Sequence, residues 1–89
     1  MPSNFNLFLT PQAKKELKKI QKGNPKIAAA IAAALNQLEI DPSRGEFLHG
    51  DLKDRRKLRV GDYRVIYRMA REKLLVFILR IAHRKEVYR

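Results

Sequence analysis

The sequence predicts an α+β fold: a small antiparallel β-sheet with an N-terminal helical hairpin packed on one face. Three observations carry that expectation. Two helical patterns stand back to back on either side of Gly23-Asn24-Pro25. An alternating stretch then folds about Gly61-Asp62, as a hairpin does. Last comes an unbroken apolar run of β-type residues, Leu74 to Leu79.

Each element has its own signal. Phe5, Leu7 and Leu9 alternate with Asn4, Asn6 and Phe8, which predicts a strand over 4–9. Thr10 and Pro11 then read as N-cap and first residue of a helix. Ala13, Leu17 and Ile20 recur at helical spacing and mark its buried stripe. Lys14, Lys15, Lys18, Lys19 and Lys22 cover the rest. That lysine face reads either as a solvated surface, the commoner case, or as a contact for a nucleic-acid backbone. Gly23 ends the helix, and Asn24-Pro25 starts a second one running to about Ile40. Its stripe is Ile27, Ile31, Leu35 and Leu38, and its many alanines favour helix and close approach. Asp41-Pro42-Ser43-Arg44-Gly45 is turn chemistry, followed by a short extended piece at Phe47-Leu48-His49.

Strands are expected at about 55–60 and 63–70. Gly61 at the first central position suits a type II′ turn, which needs positive φ there. Tyr63, Val65 and Tyr67 then share one face, and Arg64, Ile66 and Arg68 the other. Before the turn, Lys57 and Arg59 share a face opposite Arg56, Leu58 and Val60. The apolar run from Leu74 must be covered on both sides or lie inside the sheet. It ends abruptly in Arg80-Ile81-Ala82-His83-Arg84-Lys85-Glu86-Val87-Tyr88-Arg89.

Eighty-nine residues make one domain, 1–89. The 45% hydrophobic content suits a folded globule. Cysteine is absent, which excludes disulfides and thiolate metal sites and fits a reducing, cytoplasmic setting. No secretory pattern and no apolar run of spanning length occurs, so no membrane role is expected. Twenty Lys and Arg against nine Asp and Glu give a net charge of +11. Like charge at that density is relieved by a polyanion. Nucleic acid ranks first, an acidic protein partner is compatible with it, and an anionic membrane surface ranks third.

Most catalytic constellations are missing. His49 and His83 lack second ligands at useful spacing, so no metal is expected. No phosphate-binding glycine loop or nucleotide fingerprint occurs, so no cofactor is expected. Ser3 and Ser43 sit near the terminus and in a turn, which argues against a hydrolase triad. There remain Lys57, Arg59, Arg64, His83, Arg84, Lys85 and Tyr88, from adjoining strands and the segment after the last one. Such a set can surround a phosphate. RNA cleavage by attack of a 2′-OH needs a base, a stabiliser of the extra negative charge and an acid for the departing oxygen. Arg64 and Arg84 suit the second role, because a guanidinium forks onto phosphate oxygens and keeps its charge. Lys57 could be the base only in its neutral form, and His83 is the conventional acid or base. Tyr88 could stack on a base, orient the phosphate or carry a proton. Tyr63 and Tyr67 read as core, and His49 as structural or as a rim residue.

The stretch Lys57-Leu58-Arg59-Val60-Gly61-Asp62-Tyr63-Arg64-Val65-Ile66-Tyr67, with Ile81-Ala82-His83-Arg84-Lys85-Glu86-Val87-Tyr88 after the apolar run, closely resembles the RelE/ParE superfamily of type II toxin–antitoxin toxins. Within it, the chain is most similar to the RelE branch. The resemblance implies the RelE-like, microbial-RNase-like fold and an mRNA interferase, a ribosome-dependent endoribonuclease that stops translation. It implies a basic cluster of Arg55, Lys57, Arg64, Arg84 and Tyr88 in place of a His–Glu pair. It also implies an acidic cognate antitoxin, with ribosome and mRNA as the other partners. His83 beside Arg84 is similar to relatives that employ a terminal histidine, so the acid–base assignment stays open. Two alternatives stand beside this one: a ParE-like poison of DNA gyrase, and an RNA-binding module without catalysis.

Overall fold

The computed structural model describes residues 4–48 and 54–85. In chain order the elements are β1 (Asn6–Leu9), α1 (Pro11–Gly23), α2 (Pro25–Ile40), β2 (Glu46–Phe47), β3 (Arg56–Val60), β4 (Tyr63–Ala70) and β5 (Leu75–His83). Short 3₁₀ turns at Pro42–Arg44 and Arg71–Lys73 lead into β2 and β5.

The caps form as the residue types dictate. Thr10 Oγ1 accepts the Ala13 N–H at the start of α1, and Asn24 Oδ1 accepts that of Ile27 at the start of α2. Gly61 has φ of +57°. Asp62 does not share that positive φ, as a type II′ turn requires.

The strands form a five-stranded sheet in the order β1-β5-β4-β3-β2. Neighbours are antiparallel except β1 and β5, which run parallel, so the sheet is mixed instead of wholly antiparallel. The helical hairpin explains this. It carries the chain from β1 across one face to the far edge, and three antiparallel steps then return β5 to the side of β1. The apolar run thereby gains backbone partners on both sides.

α1 lies over β5, and α2 reaches β1 and β3. Between helices and sheet sits a core of Phe5, Ala13, Ile20, Ala28, Ile31, Leu35, Leu38, Val65, Tyr67, Val76, Ile78 and Ile81. Burying a side chain such as Ile31, Leu38 or Ile78 fully contributes about 1.5–3 kcal/mol. Tyr67 is completely buried, in keeping with its reading as core. Its hydroxyl donates to Pro42 O (2.6 Å) and accepts from Gly45 N (2.8 Å), which pins the 42–45 turn to β4. Gly45 has no room for a side chain, because a Cβ there would stand 2.5 Å from that hydroxyl.

Among the described residues, the opposite face carries no helix. By register, Phe8, Phe77 and Arg68 share it at one end, Ile66 and Lys57 in the middle, and Arg59, Arg64 and Ala82 at the other end. Ile66 and Ala82 are nonetheless buried there. Phe77 is not covered in the way a strand apolar on both faces suggests. Phe8 packs edge-on against it with ring centres 5.9 Å apart, Arg68 lies over it at 5.7 Å, and Phe8 stays 50% exposed.

The pairing of β4 with β5 slips once. Ile66 faces Arg80 but Tyr67 faces Ile78, so Leu79 has no partner on β4. This is a β-bulge, and it moves Ile81, Ala82 and His83 to the faces opposite those strict alternation predicts, while the Arg80 side chain reaches Glu16 on the helix side.

Candidate functional site

The cations converge on the helix-free face beside the Gly61 turn. Arg59, Arg64 and Ala82 lie in one row across β3, β4 and β5, and Lys57 stands one pleat along β3 from Arg59. Residues two apart along a strand are about 7 Å apart, and directly opposed ones about 5 Å. Lys57, Arg59 and Arg64 can therefore all reach one phosphodiester. The small Ala82 leaves space between the long side chains.

Two adjoining clefts result. One, of about 160 Å³, is lined by Arg59, Gly61, Asp62, Tyr63, Arg64 and Arg84. The other, of about 340 Å³, is lined by Arg44, Glu46, Lys57, Leu58, Arg59 and Arg64. Arg59 and Arg64 form the wall between them. Arg84 is held by its backbone, whose N–H donates to Asp62 O at 2.7 Å. Its side chain pairs loosely with Asp62 at 3.8 Å, with both groups more than 60% exposed. So weak and wet a pair exchanges readily for a phosphate.

The structure brings together Lys57, Arg59, Arg64 and Arg84. Arg55 shares the face of Lys57 and Arg59 by alternation along the chain, one pleat further from the turn. Its Nε is shielded from solvent without a hydrogen-bond partner, and the nearest carboxylate, Asp54, is 3.9 Å away. Lys85 is exposed just beyond β5, and its N–H donates to His83 Nδ1 at 3.2 Å. Tyr88 and His49 lie outside the described residues.

His83 does not join the row of cations. Strict alternation from Phe77 puts it beside Arg64, but the unpaired Leu79 turns it to the helix side. There its ring packs edge-on against Tyr63, with ring centres 5.0 Å apart. Arg44 and Glu46 border the clefts although the sequence marks them only as turn and linker. Glu46 faces Lys57 directly across β2 and β3. A two-residue strand has no periodicity to reveal it. The exposed lysines of α1 belong to the helix side, away from the clefts.

Behind the site, the 42–45 turn is tuned by hydrogen bonds. Ser43 donates to Asp41 Oδ1 through both Oγ (2.6 Å) and N–H (3.2 Å), and the first bond especially holds the Asp41 carboxyl below its usual range. Burial pushes the Tyr67 phenol up, partly opposed by the Gly45 N–H that it accepts. Arg56 reaches across to Gly45 O at 2.9 Å and stacks over Phe47 at 3.8 Å.

The comparisons with known proteins are specific. Residues 7–88 match the family described as the ParE toxin of the type II toxin–antitoxin system, and the chain belongs to that family. Over 87 residues it is 34% identical to toxin RelG of Mycobacterium tuberculosis, covering 96% of this chain and 97% of that protein. It superposes on the toxin–antitoxin complex RelBE2 of the same organism with a TM-score of 0.79 at 33% identity, covering 90% of this chain and 98% of that one. A YoeB/ParE toxin from Agrobacterium tumefaciens shares the fold, with a TM-score of 0.79, 17% identity and coverage of 89% and 98%. The protein is thus a toxin of the type II toxin–antitoxin class, in the RelE/ParE superfamily.

Proposed function

We propose that the protein is a ribosome-dependent mRNA endoribonuclease of RelE type, acting in the cytoplasm as one domain over residues 1–89. One observation carries the reading: Lys57, Arg59, Arg64 and Arg84 line two clefts with a shared wall, on the sheet face opposite α1 and α2. The scissile phosphate sits at that wall. Arg64 and Arg84 hold its non-bridging oxygens and take up the charge that grows as the 2′-OH attacks. Lys57 faces the same phosphate from the neighbouring cleft, where in its neutral form it takes the 2′ proton. Arg55, Arg59 and Lys85 hold the flanking backbone, and Tyr88 orients or protonates the departing group. His83, turned toward Tyr63, acts only through its neighbours. The likeness to toxin RelG and to the RelBE2 complex supports this reading, and by analogy with that complex an acidic antitoxin covers the cation face.

The test is primer-extension mapping of a defined message incubated with the protein, with and without ribosomes. Cuts that appear only with ribosomes are the expected result. Intact message in both arms would overturn the proposal. The family description favours a second reading, a ParE-like poison of gyrase. It predicts running translation and double-strand breaks in DNA when gyrase is present.

A further inference from the structure

We propose that Glu16 is a positioning residue for the cleft, and that it works by fixing the bulge in β5. The proposal rests on the endoribonuclease reading for its activity arm, but its structural arm stands apart.

The bulge is gripped from α1 on both sides. Thr10, the N-cap, donates through its backbone N–H to Ile78 O (3.0 Å) and through Oγ1 to Leu79 O (3.0 Å). One and a half turns later, Glu16 Oε1 accepts the Ile81 N–H at 2.7 Å. Glu16 Oε2 is bound by Arg80 through Nε (2.8 Å) and the terminal nitrogen (2.7 Å). Only 13% of the Glu16 side chain is exposed. A bulge leaves backbone groups without ladder partners, and here a half-buried carboxylate and a hydroxyl take them up.

What the bulge decides is which residues face the clefts. With it, Ile81 completes the core, His83 meets Tyr63, and Ala82 opposes Arg64, so that Arg84 emerges beside Arg59 and Arg64. Without it, Ala82 turns to the helices and Ile81 and His83 occupy the cation face. The register of a single strand therefore determines whether Arg84 reaches the phosphate, and Glu16 sets that register from the other side of the sheet.

The chain has no cysteine, so a reporter disulfide is unambiguous. Tyr63→Cys with His83→Cys joins two directly opposed positions on the helix side. It is expected to close in the parent and with Glu16→Gln, whose amide oxygen still accepts from Ile81. It is expected to stay open with Glu16→Leu. Cross-linking at the parental rate in Glu16→Leu would overturn the proposal. In single-turnover cleavage on ribosomes, Glu16→Leu is expected to lose about 10²-fold, as for a displaced catalytic group, while Glu16→Gln stays within about threefold. In an Arg84→Ala background, Glu16→Leu is expected to cost nothing further, because its effect passes through Arg84. Additive losses would mark a general loss of fold and overturn the positioning role. If Glu16→Leu does not fold, Glu16→Gln decides: a tenfold loss with the disulfide still closing would refute the mechanism. A parent that cuts no message refutes the endoribonuclease reading alone, since the disulfide arm still reads the register.

Discussion

Tyr67→Phe removes one oxygen atom and tests how the cation face is braced. That hydroxyl donates to Pro42 O and accepts from Gly45 N, both in a buried setting. The ring keeps its place in the core, so no cavity of consequence opens. Each lost bond is worth about 0.5–1.5 kcal/mol net, and each stranded partner costs about 1–3 kcal/mol if it stays dry. The 42–45 turn is at the surface, and water can reach part of what is stranded. A loss of about 2 kcal/mol is therefore expected, or about thirtyfold in the unfolding equilibrium. For a domain of this size that lowers the melting temperature by about 10 °C. Urea unfolding followed by circular dichroism measures it, with the midpoint falling and the slope unchanged. Arg44 lies in the freed turn and Glu46 directly after it, and both border the larger cleft, so cleavage should also weaken severalfold. A stability change under about 0.5 kcal/mol would show that the turn is held by something other than this hydroxyl.

Further outcomes can be checked with the same material. The folded-state pKa of Tyr67 is raised, so the neutral phenol adds stability below its unfolded value of about 10, and that part is lost as pH climbs through the higher folded value. Stability of the parent should thus fall more steeply above pH ~10 than that of Tyr67→Phe, and parallel curves would contradict the burial argument. Arg64→Ala and Arg84→Ala should each slow single-turnover cleavage by about 10²–10³-fold, and growth arrest on expression should vanish. Parental rates in well-folded variants would remove these side chains from the mechanism. Gly61→Ala should cost about 1–2 kcal/mol, since φ is +57° and a Cβ would lie 2.9 Å from Ile27 Cδ1. Gly23→Ala, with nothing within 4 Å, is the matched control and should be neutral in the same thermal melt.

The helices and the central hairpin could be read from the chain because their signals are local. Thr10-Pro11, Asn24-Pro25 and Gly61-Asp62 each specify a cap or turn within a few residues, and each behaves as specified. The parallel pairing of β1 with β5 depends on residues about 70 positions apart, and no local pattern announces it. The cation set was legible as far as alternation held. Lys57, Arg59 and Arg64 lie before the bulge on one uninterrupted hairpin, and they share a face as alternation requires. His83 lies beyond it, and its departure depends on contacts of Leu79, Arg80 and Ile81 with a helix distant in sequence. Glu16 looked like one more polar residue on a lysine-rich helix. Only the fold shows that it is half-buried and what it binds.

The N-terminal strand has one neighbour in the sheet, and that neighbour is the last of the five strands in the chain. During synthesis the first strand must wait, unpaired, until residues 75–78 have emerged to receive it. Arg84 follows a few residues later. The cation face, which needs β5 beside β4, is thus assembled only after every other strand of the sheet has been made.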